Sequence, residues 1–169
     1  QDAFFANLTT LCGQSFNGQV EVDEPVVPDN DAFANQALVM HVRDCSDSEI
    51  RIPFHVGEDH SRTWIVTRID DGLRLKHDHR HEDGSEDEIT QYGGTASNSG
   101  LASLQVFPAD EFTAELLPAA ASNVWWISLD DDHFSYSLKR IGTDRIFTVS
   151  FDLKNPIEAP EAPWGWQED

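Results

Sequence analysis

Lysine is scarce in this sequence. Only Lys76, Lys139 and Lys154 are lysines, and 11 Lys plus Arg stand against 31 Asp plus Glu, which gives a formal net charge of −20. Such a surface repels phosphate backbones and anionic headgroups, so we expect no nucleic-acid partner. Two explanations of the acidity stay open: solubility in a saline habitat, which we favour, and binding of a cation or a cationic partner.

Long apolar runs are also absent. No stretch of 18 consecutive apolar residues occurs, so the sequence predicts no membrane-spanning helix and no membrane insertion. The 169 residues are 39% hydrophobic and 25% charged, which is typical of one soluble domain with a core of its own.

Cysteine is limited to Cys12 and Cys45. One disulfide between them would close a loop of about 34 residues and contribute roughly 3–4 kcal/mol on the chain-entropy model. The alternative is two buried thiols in a cytosolic protein. Because the chain begins at Gln1 without Met, as a mature protein does after signal-peptide removal, we expect the disulfide and a periplasmic, secreted or cell-surface location.

Short alternating apolar and polar runs predict strands along most of the chain. The predicted strands are FNGQVEVDE, ALVMHVRDC, EIRIPFHVG, TWIVTRI, LRLKHDHR, a short one at Ile89 to Tyr92, LASLQVF, SNVWWISL, HFSYSLKR and RIFTVSFDL. Helices are predicted in DAFFANLTTLCG and in PADEFTAELL, which opens with proline and acidic residues. The short turns predict a mainly β fold, an antiparallel up-and-down β-barrel of eight to ten strands with an N-terminal helix and one further short helix. A β-sandwich is the alternative.

The predicted barrel domain covers residues 1–153, and a Pro- and Trp-rich acidic tail covers residues 154–169. We expect Trp164 and Trp166 to anchor this tail, either on the chain itself or on a neighbour. Trp125 and Trp126 are adjacent in a strand, so one of them points outward. Trp126, Trp164 and Trp166 are therefore candidates for binding a protein partner or for homo-oligomer formation through the tail.

Histidines at alternate positions mark the stretch LRLKHDHRHEDG. A two-residue turn at Asp71-Gly72 predicts a hairpin in which Arg68 faces Leu75, Trp64 faces His79 and Arg62 faces His81. One face then carries the candidate ligand-binding residues Arg62, Trp64, Arg68, His77, His79 and His81. A barrel interior that turns polar toward its mouth would have this pattern, and we expect a small organic ligand there.

The sequence also offers candidate sites for a divalent metal, Zn²⁺ at the same histidines or Ca²⁺ at acidic loops. His77 and His79 are spaced to share one zinc. The third ligand would be His60 or, as alternatives, one of His55, His41, His133, Glu82 and Asp83. Calcium would suit the carboxylates of EDGSEDE (82–88) and DDD (130–132), although the spacing of an EF-hand is missing. The alternative is a polar strand end that binds nothing.

Catalytic signatures are missing as well. The sequence contains no G-x-S-x-G, and QYGGTASNSG lacks the P-loop lysine. Asp59, His60 and Ser61 are adjacent in GEDHSR, but adjacency in sequence does not make a triad. We therefore assign no catalytic residue.

Several stretches together resemble a family of small, largely uncharacterised exported proteins, mostly from proteobacteria, whose members carry a signal peptide. The stretches are LCGQSFNGQV, LVMHVRDCSDSEIRIPFHVGEDHSRTWIVTR, GLRLKHDHRHEDG, QYGG and FPADEFTAELLP, and the resemblance covers about residues 4 to 153. It implies export and a single domain, and it implies no activity. The order of helix and strands also resembles the lipocalin-type (calycin) barrels, in architecture only.

From these observations we expect an exported, non-catalytic binding or accessory protein of the bacterial envelope or exterior. Two alternatives stay open. One is a structural or accessory subunit of a larger assembly docked through the tail, and the other is a metal-dependent enzyme that uses the strand of His77 and His79.

Overall fold

The alternating runs of the sequence form a single antiparallel sheet. The computed structural model describes residues 1–25, 32–33 and 35–167. The helices in this part are α1 (Asp2–Thr9) and α2 (Glu111–Leu116), the latter followed by a 3-10 turn at Pro118–Ala120. The strands are β1 (Ser15–Glu24), β2 (Leu38–His41), β3 (Asp44–Cys45), β4 (Glu49–Val56), β5 (Asp59–Ile69), β6 (Gly72–His79), β7 (Tyr92–Thr95), β8 (Leu104–Pro108), β9 (Asn123–Leu129), β10 (His133–Arg140) and β11 (Ile146–Ile157).

The sheet curls into a nearly closed barrel. The hydrogen-bonded order is β7-β6-β5-β4-β2-β1-β11-β10-β9-β8, in which all neighbouring strands are antiparallel, and the two-residue strand β3 pairs only with β4. At the remaining gap between β7 and β8, the amide of Asp110 donates to the Gly93 carbonyl at 2.9 Å. A Cβ on Gly94 would lie 1.7 Å from the Pro108 carbonyl oxygen, so only glycine permits this approach. The predicted mainly β, up-and-down barrel is confirmed, and the sandwich alternative is not adopted.

The helix α1 closes one end of the barrel. Its side chains Phe4, Phe5 and Leu8 are buried in the same core as the inward residues of the strands. Arg68 at the end of β5 forms an ion pair with Asp2, and its guanidinium lies 4.2 Å from the centre of the Phe5 ring. None of the helices in the described residues is long and apolar enough to cross a membrane.

The predicted disulfide is confirmed. Cys12, which follows α1, is bonded to Cys45 in β3, with their Cα atoms 6.3 Å apart. The bond ties the segment after the helix to the sheet and so fixes the closed end of the barrel. Because the bond closes a loop of about 34 residues, its loss would release chain entropy worth roughly 3–4 kcal/mol.

The segment after β11, residues 158–167 and called here the tail, folds back onto the outside of the barrel. Pro163 is buried, and the amide of Trp164 donates to the His60 carbonyl at 3.1 Å. The guanidinium of Arg43 lies 4.9 Å from the centre of the Trp166 ring. Both tryptophans therefore anchor the tail on this chain. The predicted boundary between barrel domain and tail at residue 153 stays a prediction, and β11 runs beyond it to Ile157.

The hairpin of β5 and β6 turns one step earlier than expected. Ile69 pairs with Gly72, so the turn consists of Asp70 and Asp71 rather than Asp71 and Gly72. Gly72 has φ of +132°, a value open to glycine, and it follows the turn as the first strand residue. The predicted turn was therefore wrong by one residue.

The corrected turn displaces each cross-strand partner by two residues. Trp64 faces His77 rather than His79, and Arg62 faces His79 rather than His81. A shift of two keeps every side chain on its own face, because side chains alternate with a period of two. The predicted inward face is thus preserved, but the register was wrong and His81 falls beyond the end of β6.

Candidate functional site

A cavity of about 280 Å³ lies inside the barrel at the end opposite α1. Its walls come from the start of β5, β9 and β11 and from the end of β6 and β10, which antiparallel order brings to one rim. The lining consists of Phe33, Phe54, Arg62, Thr63, Trp64, His77, His79, Tyr92, Leu117, Asn123, Trp125, Tyr136, Leu138, Arg140, Arg145 and Phe147. Apolar and aromatic groups thus dominate the wall, and a small polar set accompanies them, as is typical of small-molecule sites.

Stacked aromatic rings form one wall of the cavity. Trp64 lies between Tyr136, at 4.3 Å between ring centres and 14° between planes, and Phe54, at 4.8 Å and 16°. Trp125 faces them from β9 and lies 5.1 Å from the His77 ring. Buried rings in such contacts have few alternative rotamers, so this wall is rigid, and because both faces of Trp64 are covered by its neighbours, Trp64 offers a ligand only its ring edge.

His77 is bonded to the protein through both ring nitrogens. Its Nδ1 lies 3.0 Å from the Tyr92 carbonyl oxygen, which only accepts, so Nδ1 carries the proton. Its Nε2 therefore accepts from the Tyr136 hydroxyl at 2.7 Å. Burial lowers the pKa of His77 to about 3 and raises the pKa of Tyr136 well above its usual value, so both groups are neutral at pH 7.

His79 lies nearer the rim and contacts the Tyr92 hydroxyl through Nε2 at 3.1 Å. Burial, with the positive charge of Arg62 in second place, lowers the pKa of His79 below its usual value. Burial also raises the pKa of Tyr92 to about 12. The cavity therefore takes no positive charge from His77 or His79 at neutral pH, and its fixed charges come from arginine.

Arg62, Arg140 and Arg145 line the cavity near its rim. Nη1 of Arg62 donates to Asp59 at 2.6 Å, and Nη1 of Arg145 forms an ion pair with Asp23. Nε of Arg140 donates to the Asn123 side-chain oxygen at 2.9 Å. In the part of the chain that the structure describes, Arg140 forms no ion pair with a carboxylate.

The predicted ligand-binding residues are partly brought together. Arg62, Trp64, His77 and His79 all line the cavity. Arg68 lies instead at the closed end against α1, and His81 is exposed outside the barrel near Asp87. The four central residues of the predicted face therefore do line the cavity. The two outermost, Arg68 and His81, lie at opposite ends of the hairpin, away from it.

The predicted metal ligands His77, His79 and His60 are not brought together. His60 lies outside the barrel wall, where its ring centre is 4.1 Å from that of His55, and His77 offers no free nitrogen. Among the described residues, one group has ligand atoms within 4.8 Å of one another: His81, Asp87 and Glu88.

This surface group overlaps the calcium candidate 82–88. Asp83 instead accepts from the backbone and hydroxyl of Ser85, and in the second candidate Asp130 accepts from the amides of Asp132 and His133. Such turns need no ion. In a chain with 31 Asp plus Glu among 169 residues, exposed carboxylates also come close to one another without one.

The predicted partner-binding tryptophans lie on two separate parts of the chain, the tail and β9. Trp164 and Trp166 belong to the tail beside β4 and β5, whereas Trp126 lies half-buried on the outer face of β9. Trp125 is the inward member of the pair, as alternation predicts. The three do not form one surface, and a protein partner for any of them stays a prediction.

Sequence reasoning missed Arg140, Arg145, Asn123, Tyr92 and Tyr136. The signal was available in HFSYSLKR, where Phe134, Tyr136, Leu138 and Arg140 alternate on one face and turn from apolar to charged toward the strand end. This is the pattern that identified the histidine strand.

The fold and the cavity together define a class: an antiparallel barrel, closed by a helix at one end, with an aromatic and cationic cavity at the other. Its architecture is consistent with that of calycin barrels. The chain matches no protein-family model, and no curated protein or solved structure is significantly similar to it.

Proposed function

We propose that this chain is an exported, non-catalytic protein that binds a small organic molecule inside its barrel. The observation that carries the proposal is the cavity of about 280 Å³, with its rigid aromatic wall and a few polar groups at one rim. A preformed cavity of this kind costs little reorganisation when a ligand enters, because its side chains are already ordered.

The chemistry of the buried polar pair favours binding over catalysis. A general base works best when its pKa is near the working pH, and burial holds the pKa of His77 at about 3. The Tyr136 hydroxyl is held as a donor to His77, and its raised pKa makes it a weak acid. This pair therefore serves to shape the cavity and to satisfy its own polar atoms.

Export is supported by the disulfide. Disulfides persist in oxidising compartments and are rare in the cytosol. The disulfide joins Cys12 to Cys45 at the closed end of the barrel, away from the cavity, so its role is structural. The proposed location is the periplasm or the cell exterior.

Titration calorimetry with small aromatic probes tests the binding proposal. We expect 2-naphthoate or 2-naphthalenemethanol to bind the wild-type protein saturably with a stoichiometry of one. Leu117→Trp should weaken that binding by about tenfold or more, because Leu117 lines the cavity and the larger ring would occupy its space.

Leu101→Trp is the matched control, since Leu101 is 64% exposed and lies outside the cavity lining. It adds the same ring to the surface and should leave probe binding unchanged. Absence of saturable binding by either probe, or equal binding to both tryptophan variants, would contradict the proposed function.

A further inference from the structure

We infer that the ligand of the barrel cavity is a planar aromatic molecule that carries a carboxylate or an equivalent anionic group, and that Arg140 binds this group. The inference rests on the proposed function and specifies its ligand class. It is carried by the distribution of charge around the cavity, by the bonding of the three arginines and by the stacked aromatic rings in the same lining.

Positive charge is concentrated at the cavity against the balance of the whole chain. The chain has eight arginines and a net charge of −20, and Arg62, Arg140 and Arg145 are all in the cavity lining. None of the described lining residues is an aspartate or a glutamate. The interior therefore attracts an anion locally, although the outer surface repels it.

The contacts of these arginines leave donors for a ligand. A guanidinium has five N–H donors in a planar fork that matches a carboxylate. The bonds to described residues use Nη1 of Arg62, Nη1 of Arg145 and Nε of Arg140. The two Nη groups of Arg140 are therefore the donors with the least competition from protein carboxylates.

The neighbours of Arg140 hold it in place for this role. Asn123 accepts its Nε hydrogen bond from the start of β9, the strand that pairs with β10 through Arg140 and Asn123. The fork is thus oriented by a neutral amide, and no carboxylate of the described residues forms an ion pair with it. Arg62 and Arg145, each paired with a carboxylate, contribute less net charge to the cavity.

The aromatic wall decides the shape of the ligand. The Trp64 plane is within about 16° of the planes of Tyr136 and Phe54, so these rings form a stack with parallel faces. A flat aromatic ligand can pack edge-to-face against these ordered rings or contact Trp125, which also lines the cavity. An aromatic cavity could also attract a cation, but three guanidiniums in the same lining oppose one.

Three probes that share one ring system separate charge from shape. They are 2-naphthoate, 2-naphthalenemethanol and 2-naphthylmethylammonium, which are anionic, neutral and cationic at pH 7. Titration calorimetry on the intact protein should give the order anion, neutral, cation, with at least about a tenfold gap between the first two.

Arg140→Gln tests the assigned residue. Glutamine keeps a side-chain amide near Asn123 but removes the charge and the fork, so we expect 2-naphthoate to bind about tenfold or more weakly and 2-naphthalenemethanol to be unaffected. Arg51→Gln removes the same charge from the outer side, where Arg51 pairs with Glu49, and should leave both affinities unchanged. Melting temperatures verify that both variants are folded.

The outcomes separate this inference from the proposed function. If 2-naphthalenemethanol binds as tightly as 2-naphthoate and Leu117→Trp blocks both, the cavity binds ligands and the anionic class is wrong. If Arg140→Gln and Arg51→Gln weaken 2-naphthoate equally, the effect is one of net charge and the assignment of Arg140 is wrong. If no probe binds, both proposals are contradicted.

Discussion

At the scale of single residues, two buried histidines show how bonding determines what burial does. His77 and His55 are both 3% exposed, and burial is the main cause that lowers the pKa of each. His77 has a partner for each ring nitrogen, whereas neither ring nitrogen of His55 has a hydrogen-bond partner among the described residues. A buried polar group without a partner costs about 1–3 kcal/mol, so His55 is a site of local instability.

Replacing His55 by phenylalanine should therefore stabilise the protein, and more so in acid. Burial, followed by the positive charges of His60, His41 and Arg43 and opposed by Asp59, lowers the pKa of His55 from 6.5 to about 4. The unfolded chain binds a proton at this position below about pH 6.5, and the folded chain does so only near pH 4, so falling pH favours unfolding over that window.

We expect His55→Phe to raise the free energy of unfolding by about 1 kcal/mol at pH 7. The gain should grow by up to about 1.4 kcal/mol per pH unit between pH 6.5 and pH 4. Urea unfolding at several pH values measures it. His133→Phe, a histidine replaced at a position whose side chain is 57% exposed, is the matched control. An equal pH slope for wild type and His55→Phe would disprove this account.

At the scale of elements, sequence periodicity predicted the strands well and the pairing details poorly. Alternation in TWIVTRI, LRLKHDHR and HFSYSLKR marks both the strand and its buried face. The register of the β5–β6 hairpin was wrong because Asp70, Asp71 and Gly72 can all form a turn, and local sequence does not decide which two do. The cavity was only half predicted, because Arg140 and Arg145 come from the β10–β11 hairpin, which is distant in sequence from the histidine strand.

The tail is an element whose role can be tested by oligomeric state. It contacts this chain through Trp164 and Trp166, so the structure offers an intramolecular reason for its order. We expect Trp164→Ala/Trp166→Ala to lose about 1–2 kcal/mol of unfolding free energy, from exposed apolar surface and the lost cation–π contact with Arg43.

The same double variant should have the molecular mass of the wild type in multi-angle light scattering, with both proteins monomeric. Leu101→Ala, an exposed substitution, is the control for stability and should change it little. A wild-type dimer that dissociates in the double variant would refute the intramolecular role and support the docking of a neighbour by the tail.

At the scale of the whole molecule, the net charge of −20 opposes compaction. The acidic side chains repel one another more strongly in the folded state, where they are closer, than in the unfolded chain. The few lysine and arginine side chains do not offset this repulsion, because several of their ion pairs, such as Lys154 with Asp132, are exposed and stabilise the fold little. The two explanations of the acidity, saline habitat and cation binding, predict different responses to salt.

Screening predicts that the melting temperature rises with ionic strength regardless of the cation. From about 10 mM to about 1 M salt the Debye length falls from about 30 Å to about 3 Å. NaCl and choline chloride should therefore raise the melting temperature by similar amounts. A variant that removes four exposed acids with no ion pair among the described residues should melt at a higher temperature at low salt and respond less to added salt. The variant is Asp47→Asn/Glu115→Gln/Glu158→Gln/Glu161→Gln.

A melting temperature that rises with micromolar CaCl₂ at constant ionic strength, but not with choline chloride, would instead show a specific cation site. Replacing His81 and Asp87 would then test whether the surface group with Glu88 holds the ion, because loss of ligands abolishes specific binding and leaves screening intact.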